Sequence, residues 1–201
     1  MLKKLILITL IGGVIMGGNP KEMVGVISTN KGDIILEFYP DIAPKHVESF
    51  MTHAENGYYD STTFHRVIPG FMIQGGDPNS KSEDRGMHGM GGNAGKYYGI
   101  GDENNSESWM LPAEFSPTPH NRGILSMARA QNPNSAGSQF FICVADAHFL
   151  DNNYTVFGKV LKGLDVADQI VNSSRDNSDN PLERIEMNIK IVPKSSFEDL
   201  E

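Results

Sequence analysis

A mainly β fold, an antiparallel sheet closed into a barrel with two α-helices over its ends, is predicted by three features of this 201-residue chain. Short apolar stretches with period-two alternation recur along it, bounded by Gly, Pro, Asn and Asp. Its 21 glycines and 11 prolines supply turns in quantity. Just two stretches carry a helical period. Many short strands with few helices favour closure, because closure removes unpaired sheet edges. The length suits one domain with a real core, and no repeat or linker divides it.

The strands open with Val24 to Thr29 and Asp33 to Phe38, joined at Asn30-Lys31-Gly32 as a hairpin. Ile34, Leu36 and Phe38 share one face. Pro44 suits the first turn of a helix, since its missing N–H is no loss there. Val47, Phe50, Met51 and Ala54 then follow at helical spacing, and Gly57 ends the run. Residues 62–68 and 71–75 read as two strands broken at Pro69-Gly70. A long stretch, 78–122, is rich in Gly, Asn and Ser. Loops of this length are uncommon unless functional; Trp109 and the segment Leu111 to Phe115 are read as its anchors. Gly123 to Ala128, Ser138 to Ala145 and Thr155 to Val160 read as further strands. A second helix starts near Asp165 as N-cap, with Val166, Ala167, Ile170 and Val171 on one side. The last strand alternates Ile185, Met187, Ile189 and Ile191 with polar residues.

The N-terminus differs from the rest. Lys3 and Lys4 precede an almost wholly apolar run from Leu5 to Met16, and Gly17 and Gly18 close it. Twelve helical residues rise about 18 Å, short of the roughly 30 Å of a bilayer's hydrocarbon. The pattern is that of an export signal over residues 1–18. The expectation is a periplasmic or secreted protein, without membrane attachment once the signal is cleaved; a tethered form is the alternative. The remainder comprises a body over 23–193 and a tail over 194–201.

Composition narrows the chemistry. A net charge of -8 argues against nucleic acid as main partner. The single cysteine, Cys143, lies in an apolar run and reads as a buried small hydrophobe. The six histidines lack metal-ligand spacing, so no metal is expected. Met87-His88-Gly89-Met90 has copper-type ligands, but too few of them in a flexible loop. Gly95-Lys96 lacks the leading glycine and following hydroxyl of a phosphate loop. Ser126 and Ser138 have no glycine-flanked elbow. No pair of carboxylates sits in an apolar setting.

What remains is the run from Phe64 to Asp77, where His65, Arg66 and Gln74 sit among apolar residues. Arginine stays protonated, so it is no base, but its donors can stabilise a lone pair. One reaction wants that and nothing more: rotation about a prolyl amide, whose barrier of about 18–20 kcal/mol is resonance between nitrogen and carbonyl. Twisting frees the nitrogen lone pair, and a guanidinium aimed at it binds the twisted state better than either planar one.

Phe64-His65-Arg66-Val67-Ile68-Pro69-Gly70-Phe71-Met72-Ile73-Gln74-Gly75-Gly76-Asp77 closely resembles the signature of the cyclophilin family of peptidyl-prolyl isomerases. Gly123 to Ala128, Gly137 to Ile142, Phe149-Leu150-Asp151 and Val156 to Val160 resemble its later motifs, in the family's order, over about residues 23–193. The resemblance implies a closed eight-stranded antiparallel barrel capped by two helices, no cofactor, and proline-containing polypeptides as partners. It implies that Arg66 is the catalytic arginine, braced by Gln74. Phe71, Met72, Phe141 and Leu150 resemble the pocket for the proline ring. Ala128, Arg129 and Ala130 resemble the segment whose main chain holds the preceding residue, with Gln139 in the adjoining groove. Alternation along the strand assigns Phe140 to the core instead. Arg129 stands where the family has asparagine, Phe149 where it has tryptophan, and Tyr154 where it has histidine. The rival reading is a proline-peptide binding module of the same shape with little turnover. Monomer is the default expectation.

Overall fold

The computed structural model describes residues 19–198 and Leu200; the expected export signal lies outside them. Its strands are β1 Met23–Thr29, β2 Gly32–Phe38, β3 Thr62–Thr63, β4 Arg66–Ile68, β5 Met72–Gly75, β6 Ile124–Met127, β7 Phe140–Cys143, β8 Val156–Lys162 and β9 Glu186–Pro193. The helices are α1 Pro44–Glu55 and α2 Leu164–Val171. All nine strands join one antiparallel sheet in the order β3-β9-β1-β2-β8-β6-β7-β5-β4.

This corrects the expectation of a closed eight-stranded barrel: the sheet is a strongly curled one of nine strands. The stretch read as one strand over 62–68 is two, broken at Phe64 and His65. Phe64 donates its N–H to the Ile185 carbonyl at 3.0 Å, beside β9, whereas His65 donates to the Gln74 carbonyl at 3.1 Å, in β5. The chain thus passes from one end of the sheet to the other between adjacent residues. The two ends are linked by a covalent bend, not by a ladder.

Helix α1 buries Val47, Phe50 and Ala54, as its spacing predicts. Ala43 offers no side-chain cap, and Glu114 replaces it from the long loop, accepting from the N–H groups of Lys45 (3.2 Å) and His46 (3.1 Å). Helix α2 starts two positions earlier than expected. Gly163, at φ +94°, is its N-cap, and Asp165 sits in the first turn, where a carboxylate suits the helix dipole.

Two apolar clusters divide the sheet's faces by alternation. Ile73, Leu125, Phe140 and Ile142 point inward with Phe50, Tyr59 and Phe64. Met72, Ile124, Phe141, Cys143 and Val156 point to the other face, joined by Ala147 and Leu150. Cys143 is fully buried there, and burial pushes its thiol up to about 12.

The stretch 78–122 is built of short turns tied to the body. Asp77, Asp84 and Asn105 each cap a 3₁₀ turn through a side-chain oxygen. Arg184 donates to the carbonyls of Ser80, Lys81 and Ser82, and Arg85 reaches Asp176, Asn180 and the Leu182 carbonyl. Trp109 donates its indole N–H to the Asp102 carbonyl at 2.9 Å and packs on the core, the anchoring its sequence position suggests. Leu111 is buried and pairs with Ala136. No helix of the described residues is long and apolar enough to cross a membrane.

Candidate active site

The register of four strands lays out the site. Arg66 on β4 faces Gln74 on β5; Gln74 faces Phe141 on β7; Phe141 faces Ser126 on β6. Directly opposed residues share a sheet face, so these four stand in one row outside the main core. Met72, two residues from Gln74, joins the same face.

The row opens into a cavity of about 330 Å³ lined by Arg66, Phe71, Met72, Gln74, Ala128, Arg129, Phe141, Phe149, Leu150 and Tyr154. Ten of the twelve residues picked from sequence therefore meet at one place. Ala130 and Gln139 do not line it. Ala130 is exposed, and its carbonyl accepts from the Arg129 guanidinium at 2.9 Å. Gln139 lies behind Gln74. The floor is apolar, with Met72 at 1%, Phe141 at 5% and Leu150 at 7% exposure. Phe71 leans on Phe149 (centroids 5.2 Å) and on Phe141 (6.4 Å), and Tyr154 meets Phe141 edge-on at 6.0 Å. Phe149 is 71% exposed and forms a rim.

Arg66 is exposed despite its apolar neighbours, and it is His65 beside it that is buried. Strand β4 ends the sheet order, with no strand beyond it among the described residues. The guanidinium donates from Nη1 to Gln74 Oε1 at 3.3 Å. Gln74 Nε2 donates to Gln139 Oε1 at 2.9 Å, and Gln139 Nε2 donates to the carbonyls of Gly89 (3.0 Å) and Gly91 (2.7 Å). His65 is 4% exposed, with no partner of good geometry for either ring nitrogen. Desolvation lowers its imidazole to about 4, against the attraction of buried Asp77.

Arg129 does more than the sequence suggests. Its guanidinium lies 4.5 Å over the Tyr154 ring and donates to the Asn153, Ala130 and Gln131 carbonyls. The arginine thereby fixes Tyr154 as a wall of the cavity, a cation–π contact no spacing rule reveals.

A second group went unread in the sequence. His120 stacks on Phe141 (6.2 Å, 14° between planes), with Nδ1 2.9 Å from Asp151 Oδ1 and Nε2 3.0 Å from Ser126 Oγ. Desolvation lowers the His120 pKa, against the Asp151 carboxylate. The arrangement has the residue types of a nucleophilic triad, yet Ser126 is fully buried and its hydroxyl lies 3.0 Å from the Thr155 carbonyl. No substrate carbonyl reaches that oxygen, so the group supports Phe141 from beneath. Its one sequence signal is a histidine six residues before a buried serine.

Among the described residues no group of three or more His, Cys, Asp and Glu side chains is placed to hold a metal. In the Met87–Met90 run, His88 Nε2 lies 2.9 Å from the Ser82 carbonyl and Nδ1 2.9 Å from Asn180 Nδ2, so both nitrogens are occupied.

Known proteins resemble this chain in sequence and fold. The family described as cyclophilin type peptidyl-prolyl cis-trans isomerase/CLD matches residues 24–191. A Brucella abortus protein named "Probable peptidyl-prolyl cis-trans isomerase" is 46% identical over 156 residues, covering 78% of this chain and 74% of the relative. Peptidyl-prolyl cis-trans isomerase 9 of Schizosaccharomyces pombe is 40% identical over 172 residues, covering 83% of this chain and 25% of that much longer protein. The crystal structure of a Cryptosporidium parvum cyclophilin type peptidyl-prolyl cis-trans isomerase superposes with a TM-score of 0.73 at 33% identity, covering 86% of this chain and 98% of the other. With sheet, helices and cavity in place, these matches show that the chain belongs to the cyclophilin-type peptidyl-prolyl cis-trans isomerases.

Proposed function

We propose that this isomerase acts on Xaa-Pro bonds by placing the proline ring on Phe71, Met72, Phe141 and Leu150 and aiming the Arg66 guanidinium at the prolyl nitrogen. The observation that carries this is the position of Arg66: a braced cation at the rim of a cavity with an apolar floor. In the planar amide the nitrogen lone pair is delocalised and accepts nothing. In the twisted amide it is a base, and a donor held nearby stabilises that state alone. Substrate covering Arg66 displaces water, which strengthens the interaction when the bond turns.

The ring is small, so binding is weak and tolerant of flanking sequence. Unfolded or newly exported chains suit such a site, because uncatalysed prolyl isomerisation takes tens to hundreds of seconds. A Cryptosporidium parvum relative has been crystallised in the presence of the dipeptide Ala-Pro (TM-score 0.71, 35% identity), which supports a proline-containing ligand for this cavity. The Lys3 and Lys4 start and apolar run to Met16 support export.

The test is a proline-limited refolding assay of the protein against Arg66→Ala. Losing a donor aimed at the transition state is expected to lower kcat/KM about 100-fold. Equal acceleration by both proteins rejects the mechanism. Tight proline-peptide binding with negligible acceleration by the unmodified protein points instead to a binding module.

A further inference from the structure

We propose that Gln139 is a positioning residue that sets which end of the Gln74 amide meets Arg66, and that the 78–122 loop dictates the choice. The inference rests on Arg66 as the reacting donor. A glutamine side chain has one end that accepts and one that donates, and a flip exchanges them. Two main-chain carbonyls, of Gly89 and Gly91, point at one end of Gln139 at 3.0 and 2.7 Å. Carbonyls only accept, so that end is the NH₂ and the opposite end is Oε1. Gln139 Oε1 then demands a donor at 2.9 Å, and Gln74 supplies its NH₂. Gln74 is left with Oε1 toward Arg66, the one orientation that accepts from a guanidinium. Two loop carbonyls therefore fix the polarity of a contact two amides away.

The carbonyls are themselves held. Buried Asp77 accepts from the Gly89 N–H, and Asn79 Nδ2 donates to the Met87 carbonyl at 3.2 Å. Gly92 carries φ +110°, and a Cβ there would press on Ser138, next to Gln139. The loop thus enters the site as a reference for polarity, without lining the cavity itself.

The experiment measures kcat and KM of Gln139→Leu, Gln139→Glu, Gln74→Glu and the double variant Gln74→Glu/Gln139→Leu, with thermal unfolding as the fold check. Leucine removes the acceptor facing Gln74, so kcat falls about tenfold, the order of one hydrogen bond to a charged group, while KM changes little. Glutamate at 139 still accepts from Gln74 but repels the Gly89 and Gly91 carbonyls. Its kcat stays within about twofold of the parent protein while amide exchange at 89–91 speeds up. Glutamate at 74 presents acceptors alone and already opposes Gln139 Oε1, so in that background Gln139→Leu causes no further loss of kcat. Should Gln139→Leu fail to fold, Gln139→Met takes its place. Equal losses in Q139L and Q139E, or the same fold-loss from Q139L in both backgrounds, overturns the proposal. Arg66→Ala without loss of activity would instead overturn the reading of Arg66, and it is scored separately.

Discussion

The Glu114 carboxylate holds His46 from across 68 residues: Oε2 lies 2.6 Å from His46 Nδ1 and 3.1 Å from its main-chain nitrogen. A residue of the long loop thus caps α1, whose own N-cap, Ala43, has no side chain to offer. Burial raises the Glu114 carboxyl, but bonds from the His46 ring and the His46 and Lys45 amides outweigh it and hold the pKa below the ordinary value.

Glu114→Ala removes that cap and leaves a buried imidazole and two amides unpartnered. The expected cost is about 2 kcal/mol, read as a lower urea midpoint at unchanged slope. An unchanged midpoint would show that water or another side chain replaces the cap.

His65 makes stability depend on pH. Its folded pKa of about 4 lies below the ordinary 6.5, so between these values the unfolded chain takes up a proton that the fold refuses. The stability tied to the neutral ring is fully present above pH 6.5, falls as pH drops toward 4, and is level below. The span is worth up to about 3 kcal/mol. His53 and His120 shift in the same direction, so the measurement is a difference. His65→Phe, tolerable because neither ring nitrogen has a partner, flattens the urea-derived stability profile over that window by about one proton. A slope equal to the parent's refutes it.

Phe140 and Phe141 are adjacent yet serve different faces. Phe140 packs in the main core against Phe50, Tyr59 and Phe64, so Phe140→Ala costs about 3–5 kcal/mol of stability. Phe141→Ala opens the floor of the cavity, so the turnover assay registers it first, as a raised KM and a kcat/KM lower by about tenfold or more. An unchanged kcat/KM in Phe141→Ala would contradict its place in the cavity floor.

Cys143 is expected to be inert. Burial raises its thiol to about 12, leaving almost no thiolate at pH 8. Iodoacetamide should label the protein only as fast as it unfolds, with full labelling in denaturant. Rapid labelling of the folded protein would contradict its burial.

Sequence and structure agree most where a periodic pattern meets a single physical demand. Val47, Phe50 and Ala54 define the buried side of α1, and alternation separates Phe140 from Phe141 before any coordinates. Disagreements arise where position in the sheet decides. Arg66 is exposed because β4 lies at the end of the sheet order, a fact no local window contains. The break at Phe64 and His65 comes from two separate carbonyl partners, Ile185 and Gln74, the first more than a hundred residues away. The amide bonds of Gln139 to Gln74 and to the loop carbonyls are likewise invisible to any local window. His120 escaped notice because its partners, Ser126 and Asp151, follow it by 6 and 31 residues, spacings that match no motif.

The row from Arg66 through Gln74 and Phe141 to Ser126 also bears on which length changes the chain can absorb. One residue inserted into or deleted from β5 would carry Gln74 and Met72 to the core side and bring Ile73 to the cavity, exchanging floor and interior in one step. The turns of 78–122 face no such parity, and residues gained or lost there away from Gly89, Gly91 and His120 leave the row in place. Variation in length among designed versions of this enzyme therefore belongs in the loop, and the strands that carry the row must keep theirs.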